Sequence, residues 1–431
     1  MKRQVSVRLL LLVVAILFLL TGCSPKLVNP DLFSEGLLAV QKDGRFGYIN
    51  NTGKKVIEFY YDEAYAFKDG VALVKVGTKY NLINKKGAKV FEDDYDFLER
   101  DFESGLVWYV ANEKLGLMNA SGKKLTEPIY HANKSSYSNT YWISSFFSNG
   151  YARVSNGTKY GFIDTSGKVK IEITYDGVGS FVNGLAYVKI GTKYGYIDKS
   201  NKLVIPATYD SANSFNEHNH AIVRVGNFYK VIDKSNKVVF EDSYTDIEFV
   251  GDYYIVEKNE RYFLLNLKGV KTSETTYDIG MGLMEGYFLF ANQAAEQLYV
   301  YSPKNKLVMS FTVLVDLEAL DDFYIIDGKA WASLERTNTV ELFNGKASET
   351  IALTGNRIID IDQNLIVMRS NGKYGLLNMK GIRIVEFNYD NILLFGDGYL
   401  LYELDGLYGI MTTKGKIVIE AKYTDFSLDL N

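Results

Sequence analysis

Short apolar segments recur along most of this chain, separated by tight polar turns that contain glycine or asparagine. In YGYID, residues 194–198, apolar and aromatic residues alternate as they do in a short strand. A four-residue turn follows, and KLVIP (202–206) is typical of the returning strand. LAYVKI (185–190) precedes the motif and is joined to it by GTK, a further hairpin turn. The pattern therefore predicts a meander of three or four short antiparallel strands.

This meander is repeated along the chain. If the Gly or Asn of each tight turn is taken as an anchor, most successive anchors are 33–36 residues apart. A large apolar residue lies seven positions before most anchors, and a tyrosine lies eight positions after most of them. We therefore expect about eleven repeats over residues 33–431, degenerate over 284–360. The anchors are Gly53, Gly87, Gly122, Gly167, Asn201, Asn236, Gly269, Asn305, Gly345, Gly381 and Gly415.

A single meander of about 35 residues cannot bury both of its faces, so neighbouring repeats must stack. Radial stacking gives a propeller, and helical stacking gives an open spiral or solenoid. Because ordinary propellers close with four to eight blades, eleven repeats do not fit one ordinary ring. The predicted fold class is all-β, a propeller-like array with incomplete closure or an open spiral. Two rings, or repeats that act as caps, are alternatives that the sequence leaves open.

The repeats resemble those of the bacterial WG-repeat proteins, which are named for a Trp-Gly pair followed by hydrophobic residues and a D-x-x-G-K turn. In this chain Tyr or Phe takes the place of the Trp, and a Tyr-Asp pair follows the turn. The resemblance covers most of residues 33–431 and is weakest over 284–360. It implies all-β repeats and, often, surface or envelope placement, and it brings no catalytic residues. The segments that carry it are RFGYINNTGKK (45–55), KYGFIDTSGK (159–168) and KYGYIDKSNK (193–202).

Residues that recur at the same position of every repeat are expected to be structural. We predict that the recurrent tyrosines form the core between repeats, with an exposed stripe for sugars or peptides as the alternative. The aspartates of the Ile-Asp and Tyr-Asp pairs are expected to cap turns rather than to line a cation channel. The glycine after the aromatic residue, as at Gly195, indicates a close backbone approach, over which a ring from a neighbouring repeat would pack.

The amino terminus has the features of an export signal. Lys2, Arg3 and Arg8 precede an unbroken apolar run at 9–20, which is short of the roughly 20 residues that span a bilayer. The following LTGC resembles the lipobox of bacterial lipoproteins, which implies cleavage before Cys23 and lipidation of its thiol. We expect a signal peptide at 1–22, a lipidated Cys23 with a linker over 23–32, and a location on the extracytoplasmic face of the cell membrane. An uncleaved signal anchor is the alternative.

Composition narrows the function classes. Cys23 is the only cysteine in the sequence, so the mature protein has no second thiol for a disulfide, a thiolate metal site or a nucleophile. Loss of 1–22 removes three basic and no acidic residues, which changes the formal charge from −4 to −7. A mildly acidic protein disfavours nucleic acid and anionic lipid headgroups as partners. No cofactor is predicted.

One interval is longer than the others and supplies the best local candidate for binding. Gly122 and Gly167 are 45 residues apart, and the excess falls in HANKSSYSNTYWISS, 131–145. Insertions in repeat arrays lie on one face, often the binding face, and Tyr, Trp, Ser and Asn suit recognition surfaces. The candidate binding residues are Tyr137, Tyr141 and Trp142. The alternative is a tolerated loop without a function.

Other clusters are weaker candidates. His218 and His220 could begin a metal site if they lay on one strand face, but Glu217 would then point the other way, and no metal is predicted. The acid-rich segments 316–328 and 358–364 lack the spacing of a calcium loop. They are interpreted as solvated faces or as a mismatch between two sub-arrays.

These observations favour a lipid-anchored extracytoplasmic scaffold that binds a cell-wall glycan or another protein and is not an enzyme. The alternative is an envelope polysaccharide hydrolase that uses channel carboxylates, since a glycosidase needs only two suitably spaced acids. A third hypothesis is a purely structural spacer. Acids from outside the repeat pattern, converging on one opening, would favour the enzyme.

Overall fold

The computed structural model of the protein describes residues 31–101, 103–135, 141–142, 146–240, 243–283, 286–292, 297–312, 320–326, 329–336, 339–343, 351–354, 357–362 and 364–427. These residues form two compact units. The first contains Phe33–Ile247 and the chain from Lys422 onward, and the second contains Glu248–Ala421. Neither boundary falls within 284–360, where a mismatch between sub-arrays was one interpretation. The predicted signal peptide and Cys23 lie outside the described residues.

Apart from the short 3-10 segment η1 (Ser34–Gly36), the secondary-structure elements of the described residues are β-strands. Its first strands are β1 (Leu37–Lys42), β2 (Arg45–Asn50), β3 (Lys55–Tyr61), β4 (Glu63–Ala64), β5 (Val71–Val76), β6 (Lys79–Asn84), β7 (Phe97–Arg100), β8 (Val107–Ala111), β9 (Lys114–Met118), β10 (Tyr130–His131), β11 (Asn133–Lys134), β12 (Tyr141–Trp142), β13 (Tyr151–Ser155), β14 (Tyr160–Asp164), β15 (Val169–Tyr175), β16 (Gly177–Val178), β17 (Leu185–Ile190), β18 (Lys193–Asp198), β19 (Leu203–Tyr209), β20 (Ser211–Ala212), β21 (His220–Val225) and β22 (Phe228–Asp233). The later strands are β23 (Asp246–Val250), β24 (Tyr253–Lys258), β25 (Arg261–Asn266), β26 (Ile279–Gly282), β27 (Phe288–Asn292), β28 (Gln297–Tyr301), β29 (Leu307–Thr312), β30 (Leu320–Ile326), β31 (Lys329–Arg336), β32 (Thr339–Phe343), β33 (Ile351–Thr354), β34 (Arg357–Asp362), β35 (Leu365–Ser370), β36 (Lys373–Asn378), β37 (Arg383–Tyr389), β38 (Asn391–Leu394), β39 (Tyr399–Leu404), β40 (Leu407–Thr412), β41 (Ile417–Tyr423) and β42 (Asp425–Ser427).

Consecutive strands pair antiparallel into small sheets, as the sequence predicts. A typical sheet has the order β16-β17-β18-β19, and among the described residues eleven such sheets follow the eleven predicted repeats. The two-stranded hairpin β11-β12 is additional and lies in the insertion. In the first unit β42 pairs with β1, so the first sheet takes its outer strand from the far end of the chain. The predicted all-β repeat class is confirmed.

The two sequence offsets around each anchor correspond to cross-strand partners. Tyr194, seven residues before Asn201, lies opposite Tyr209, eight residues after it. Seven other described repeats show the same pairing, through a third strand or an isolated bridge. The register then shifts, because Tyr196 lies opposite Ile205, which leaves a bulge in β19. A β-bulge bends its strand and increases the local twist. The repeat spacing thus encodes a hairpin with a built-in bulge.

The bulge explains the recurrent glycine. A Cβ at Gly195 would lie 2.5 Å from Ile205 O, closer than atoms can approach, so the predicted close backbone approach is confirmed. The three atoms nearest to such a Cβ are backbone atoms of the same sheet, and not a ring from a neighbouring repeat as was expected. At Gly116 a ring does lie close, but it is that of Tyr109 on the adjacent strand of the same sheet, with Cζ 2.4 Å from the position of a Cβ. Side chains directly opposite one another in a hairpin are closer than those of the next sheet.

The core lies between successive sheets. One buried cluster joins Tyr196 and Ile205 of the sheet β16–β19 to Phe215 and Val223 of the next repeat. The rings of Tyr196 and Phe215 are 4.9 Å apart, and the Tyr196 hydroxyl donates to Asn213 O at 2.8 Å. Burial raises the pKa of this tyrosine, so the hydroxyl stays protonated as a donor. Most of the recurrent tyrosines are buried or half-buried in this way, which supports their predicted core role.

The turns follow the predicted chemistry at the Ile-Asp pair. Asp198 Oδ1 accepts from the backbone amides of Ser200 and Lys202 at 2.9 and 3.0 Å, which caps its own turn. The Tyr-Asp aspartates differ from the expectation, because their carboxylates do not cap the turn of their own repeat. Asp210 Oδ2 accepts from the amide of Gly226 in the next repeat. The Gly226 amide could not be identified from a single repeat, because it lies in the repeat that follows Asp210.

Candidate functional site at the insertion

The insertion is attached to the core at both ends. It leaves the sheet after β10 and returns before β13, and Tyr130, Ala132 and Phe147 are all buried in one cluster with Trp108. The rings of Trp108 and Phe147 are stacked with centroids 5.9 Å apart. Because aromatic side chains are buried at both of its ends, the insertion begins and ends at fixed positions on the core.

A buried carboxylate reinforces the return of the insertion. Asp101 is 1% exposed, and its Oδ2 accepts from the amide of Phe147 at 2.5 Å. Its Oδ1 accepts from the amide of Ser104 at 3.0 Å. A buried carboxylate is tolerated only where such donors satisfy it. Asp101 thus ties the end of the insertion to the loop between β7 and β8.

Within the insertion, β11 and β12 form a hairpin that places two of the predicted binding residues, Tyr141 and Trp142, in different surroundings. Asn133 pairs with Trp142, and Lys134 pairs with Tyr141. Tyr141 packs against the core, with its ring 6.4 Å from that of Phe97. Trp142, on the opposite face, is 50% exposed. Tyr137, the third predicted residue, lies outside the described residues.

Trp142 borders a cleft of about 110 Å³. Liquid water occupies about 30 Å³ per molecule, and drug-sized ligands need pockets of roughly 300–1,000 Å³. The cleft is therefore the size of a side chain or of one substituent of a larger ligand. It is lined by Leu115, His131, Asn133, Trp142, Arg153, Val154, Ser155 and Tyr160, which come from β9 to β14.

The polar groups of the cleft are placed by their strands and turns. Ser155 Oγ donates to Lys159 O and accepts from the Gly157 amide, both at 2.9 Å. These bonds fix the turn that leads to Tyr160, whose ring is 38% exposed. The His131 ring lies against Gly157. Among the described residues that line the cleft there is no carboxylate, so its ionisable groups are Arg153, His131 and the tyrosine.

Sequence reasoning identified the insertion but not its neighbours. Arg153 lies opposite Phe162, the register position that Leu73, Tyr187 and Ile222 occupy in other repeats. A cation at an otherwise apolar repeat position, beside the insertion, is a signal that was present in the sequence. Aligning the repeats strand by strand would have found it.

The two histidines lie in a turn that Asn216 caps through their backbone amides. The Asn216 side chain accepts from the amides of both His218 and His220 at 3.0 Å, and His220 begins β21. Burial, and then the neighbouring His218, lower the pKa of His220, which keeps that imidazole neutral at neutral pH. In the described part of the chain no three His, Cys, Asp or Glu side chains are grouped as metal ligands.

None of the described segments forms a helix of the length and hydrophobicity needed to cross a bilayer.

Solved structures with similarity to the chain include Hsv2p of Kluyveromyces lactis, at 10% identity over 57% of this chain and 96% of that one, with a TM-score of 0.31. A eukaryotic initiation factor is similar at 11% identity over 91% of this chain and 96% of that one, with a TM-score of 0.40. AztD of Citrobacter koseri is similar at 13% identity over 72% and 91%, with a TM-score of 0.29. These TM-scores are too low to carry an argument about fold or function.

No curated protein matches the sequence. The family model for the WG containing repeat matches five segments, which lie in both compact units: 46–80, 160–194, 194–229, 374–408 and 408–427. Each segment runs between the aromatic positions that define the repeat in the structure, or from one of them to the end of the array. The chain therefore contains WG repeats, which confirms the resemblance inferred from its sequence.

Proposed function

We propose that this WG-repeat protein is a binding scaffold held on the extracytoplasmic face of the cell membrane by a lipidated Cys23. Its insertion would contact a cell-wall glycan or another envelope protein. The observation that carries the proposal is that the insertion is tied to the core at both ends and presents a half-exposed Trp142 beside a cleft. The buried Asp101 also fixes the return of the insertion through the Phe147 amide.

The cleft supports binding rather than catalysis. Glycoside hydrolysis in most families needs two carboxyl groups about 5–10 Å apart. The described lining offers Arg153 and His131 but no such pair. Ser155, the one hydroxyl there besides Tyr160, is engaged in the turn through two hydrogen bonds. An activated nucleophile instead needs a base within hydrogen-bond reach.

The proposal is tested by co-sedimentation of the protein from Ser24 onward with purified cell-wall polysaccharide. A variant lacking 133–144 and the variant Trp142→Ala are expected to sediment less. The matched control is Tyr60→Ala, which removes a ring that is 59% exposed and does not line the cleft. Equal sedimentation of all variants would place glycan binding elsewhere on the protein. Release of reducing ends during incubation would favour the hydrolase.

Membrane attachment is tested separately. The full chain is expected to fractionate with membranes and to incorporate labelled palmitate, and Cys23→Ser is expected to lose the label. Because one acyl chain anchors only marginally and several anchor stably, the unlabelled variant should also be released from the membrane if cleavage still occurs. Retention of label in Cys23→Ser would contradict the assignment.

A further inference from the structure

The insertion cleft has a local charge opposite to that of the chain. The whole sequence carries a formal charge of −4, yet the described lining holds the cation Arg153 and no carboxylate. The net negative charge of the protein repels anionic ligands at long range, whereas a local cationic site attracts them at short range.

Arg153 is a cation at a register position that is apolar in other repeats. Its register position holds Leu73, Tyr187 and Ile222 in other repeats, where an apolar side chain lies opposite the middle strand. Burying part of a guanidinium there costs more than burying leucine. Arginine is the side chain best suited to planar, bidentate recognition of a carboxylate. The departure and the position in the cleft point to an anionic group of a ligand.

Exposed rings flank the same cleft. Trp142 is 50% exposed and Tyr160 is 38% exposed, and both line it. An aromatic ring combines a broad apolar face with a polar edge, which matches a sugar ring that has C–H groups on one face and hydroxyls at its rim. The cleft volume of about 110 Å³ suits one substituent, while the remaining sugar would lie over the exposed rings.

We propose that the cleft binds a carboxylate-bearing sugar of a polysaccharide, with Arg153 on the carboxylate and Trp142 under the sugar ring. This inference rests on the proposed function and names the ligand class of that site. The chemistry is that of a uronic acid or of a sugar with a carboxylate-bearing ether substituent. An acidic peptide would use the same Arg153 but would gain less from two flanking rings.

The test measures binding of tetragalacturonate to the full chain, kept in solution with a mild detergent, by titration calorimetry. The methyl ester of the same oligosaccharide removes the charge and keeps the sugars, and it is expected to bind about tenfold more weakly. Arg153→Leu is expected to lose affinity for tetragalacturonate by a similar factor. This variant places at 153 the residue that another repeat already carries there, so the fold is expected to persist. The charge-matched control is Lys168→Leu, an exposed lysine in the following turn, which is expected to bind normally.

Equal affinity for the acid and its ester, or unchanged binding by Arg153→Leu, would overturn the inference. Tighter binding of a tetraglutamate peptide with the same dependence on Arg153 would also overturn it, in favour of a protein partner. Insertion-dependent sedimentation with wall polysaccharide, together with no binding of tetragalacturonate, would overturn the ligand class and leave the proposed function intact. If the unaltered protein does not sediment with wall polysaccharide, the ligand class and the glycan part of the proposed function both fail, and an envelope protein becomes the partner to test.

Discussion

The Nζ of Lys193 lies 2.6 Å from Asp210 Oδ1, across the outer hairpin of one repeat. The second oxygen of Asp210 accepts from the Gly226 amide at 2.7 Å, in the first hairpin of the next repeat. The backbone amide of Asp210 also donates to Arg224 O in that repeat. Asp210 therefore contacts Lys193 in its own repeat and both Arg224 and Gly226 in the next repeat. We call this arrangement the clasp.

The ion pair of the clasp recurs with the same spacing of 17 residues between the cation and the carboxylate. Because consecutive repeats have no covalent link other than the chain, stability depends on the interface terms between them. The clasp is one such term, and it orients each sheet relative to the next. The described clasps pair Arg45 with Asp62, Lys79 with Asp96, Lys159 with Asp176, Lys193 with Asp210, Arg261 with Asp278 and Lys373 with Asp390.

The clasp predicts an acid-sensitive array. The Lys193 ammonium and then the Gly226 amide hold the pKa of Asp210 below its ordinary value of 3.8, and equivalent groups act on Asp176 and Asp390. A carboxyl whose pKa is lower in the folded than in the unfolded state stabilises the fold at pH values above its unfolded-state pKa. That stabilisation is lost as the pH falls through the folded-state pKa. Urea unfolding midpoints should therefore decrease as the pH falls below 3.8.

A triple variant with Asn at 176, 210 and 390 should have a lower midpoint at neutral pH and a smaller further decrease in acid. Since these carboxylates are at the surface, the difference should also shrink in high salt. Glu172→Gln, an exposed carboxylate in the same array, is the control. Parallel pH profiles for the triple variant and the parent would exclude a role of the clasp in acid sensitivity.

The glycine opposite the bulge gives a steric prediction. Gly195→Ala would place a Cβ 2.5 Å from Ile205 O and 2.7 Å from Ala207 N, both of which are backbone atoms. Overpacking of this kind costs about 1–3 kcal/mol, so the free energy of unfolding should fall by that amount. Gly177→Ala, in the same sheet, meets only the Lys189 side chain at 3.5 Å and should be tolerated. Denaturant melts of the two variants decide the point, and equal stability would mean that the bulge relaxes at little cost.

Much of the fold was predictable because one local pattern was written many times. The offsets around Asn201 predicted an aromatic residue on each side of a turn, and Tyr194 and Tyr209 are cross-strand partners. The bulge was not predictable from a single repeat, because alternation alone does not show which strand has extra residues. The recurrent Gly195 was its only sign.

Departures from the pattern carried information that a consensus hides. Asn81 stands where most repeats have glycine, and its amide donates to Phe91 O and to Asp94 Oδ1. There the third strand is reduced to isolated bridges, such as that between Tyr80 and Tyr95. The side chain occupies space that a regular third strand fills elsewhere.

At the candidate site, too, the informative features are departures from the repeat pattern. The length of one interval located the insertion, and the chain's own aromatic content indicated Trp142. Arg153 was missed because single charged residues are common in strands and because its significance comes only from the apolar residues at equivalent positions. The partners of the Tyr-Asp aspartates were missed for another reason, since they lie in the next repeat.

The second contact between consecutive repeats is made by tyrosine. The Tyr175 hydroxyl lies 2.7 Å from Asn201 Oδ1, and the Tyr209 hydroxyl lies 2.6 Å from Asn236 Oδ1. Asn201 has φ of 65°, a left-handed conformation that Asn and Gly tolerate. Asn201→Gly should therefore keep the turn and remove only the acceptor. The expected loss is about 0.5–1.5 kcal/mol, the net value of one hydrogen bond.

A double-mutant cycle with Tyr175→Phe separates this bond from the change in the turn. The two single variants should each be destabilised, and the double variant should be little worse than either. Additive losses would show that the two side chains contribute independently. The same cycle at Tyr209 and Asn236 is an internal replicate from the next repeat.

The last prediction concerns the buried Asp101, which receives the Phe147 and Ser104 amides. Asp101→Ala leaves both donors unsatisfied, which should reduce the free energy of unfolding by about 1–3 kcal/mol. It should also speed hydrogen exchange at the Phe147 amide and weaken binding at the cleft, because the insertion loses its fixed return. Asp101→Asn keeps one acceptor oxygen, so its free energy of unfolding should lie between those of the parent and of Asp101→Ala. If exchange at Phe147 accelerates while ligand affinity is unchanged, Asp101 stabilises the fold without positioning the binding site.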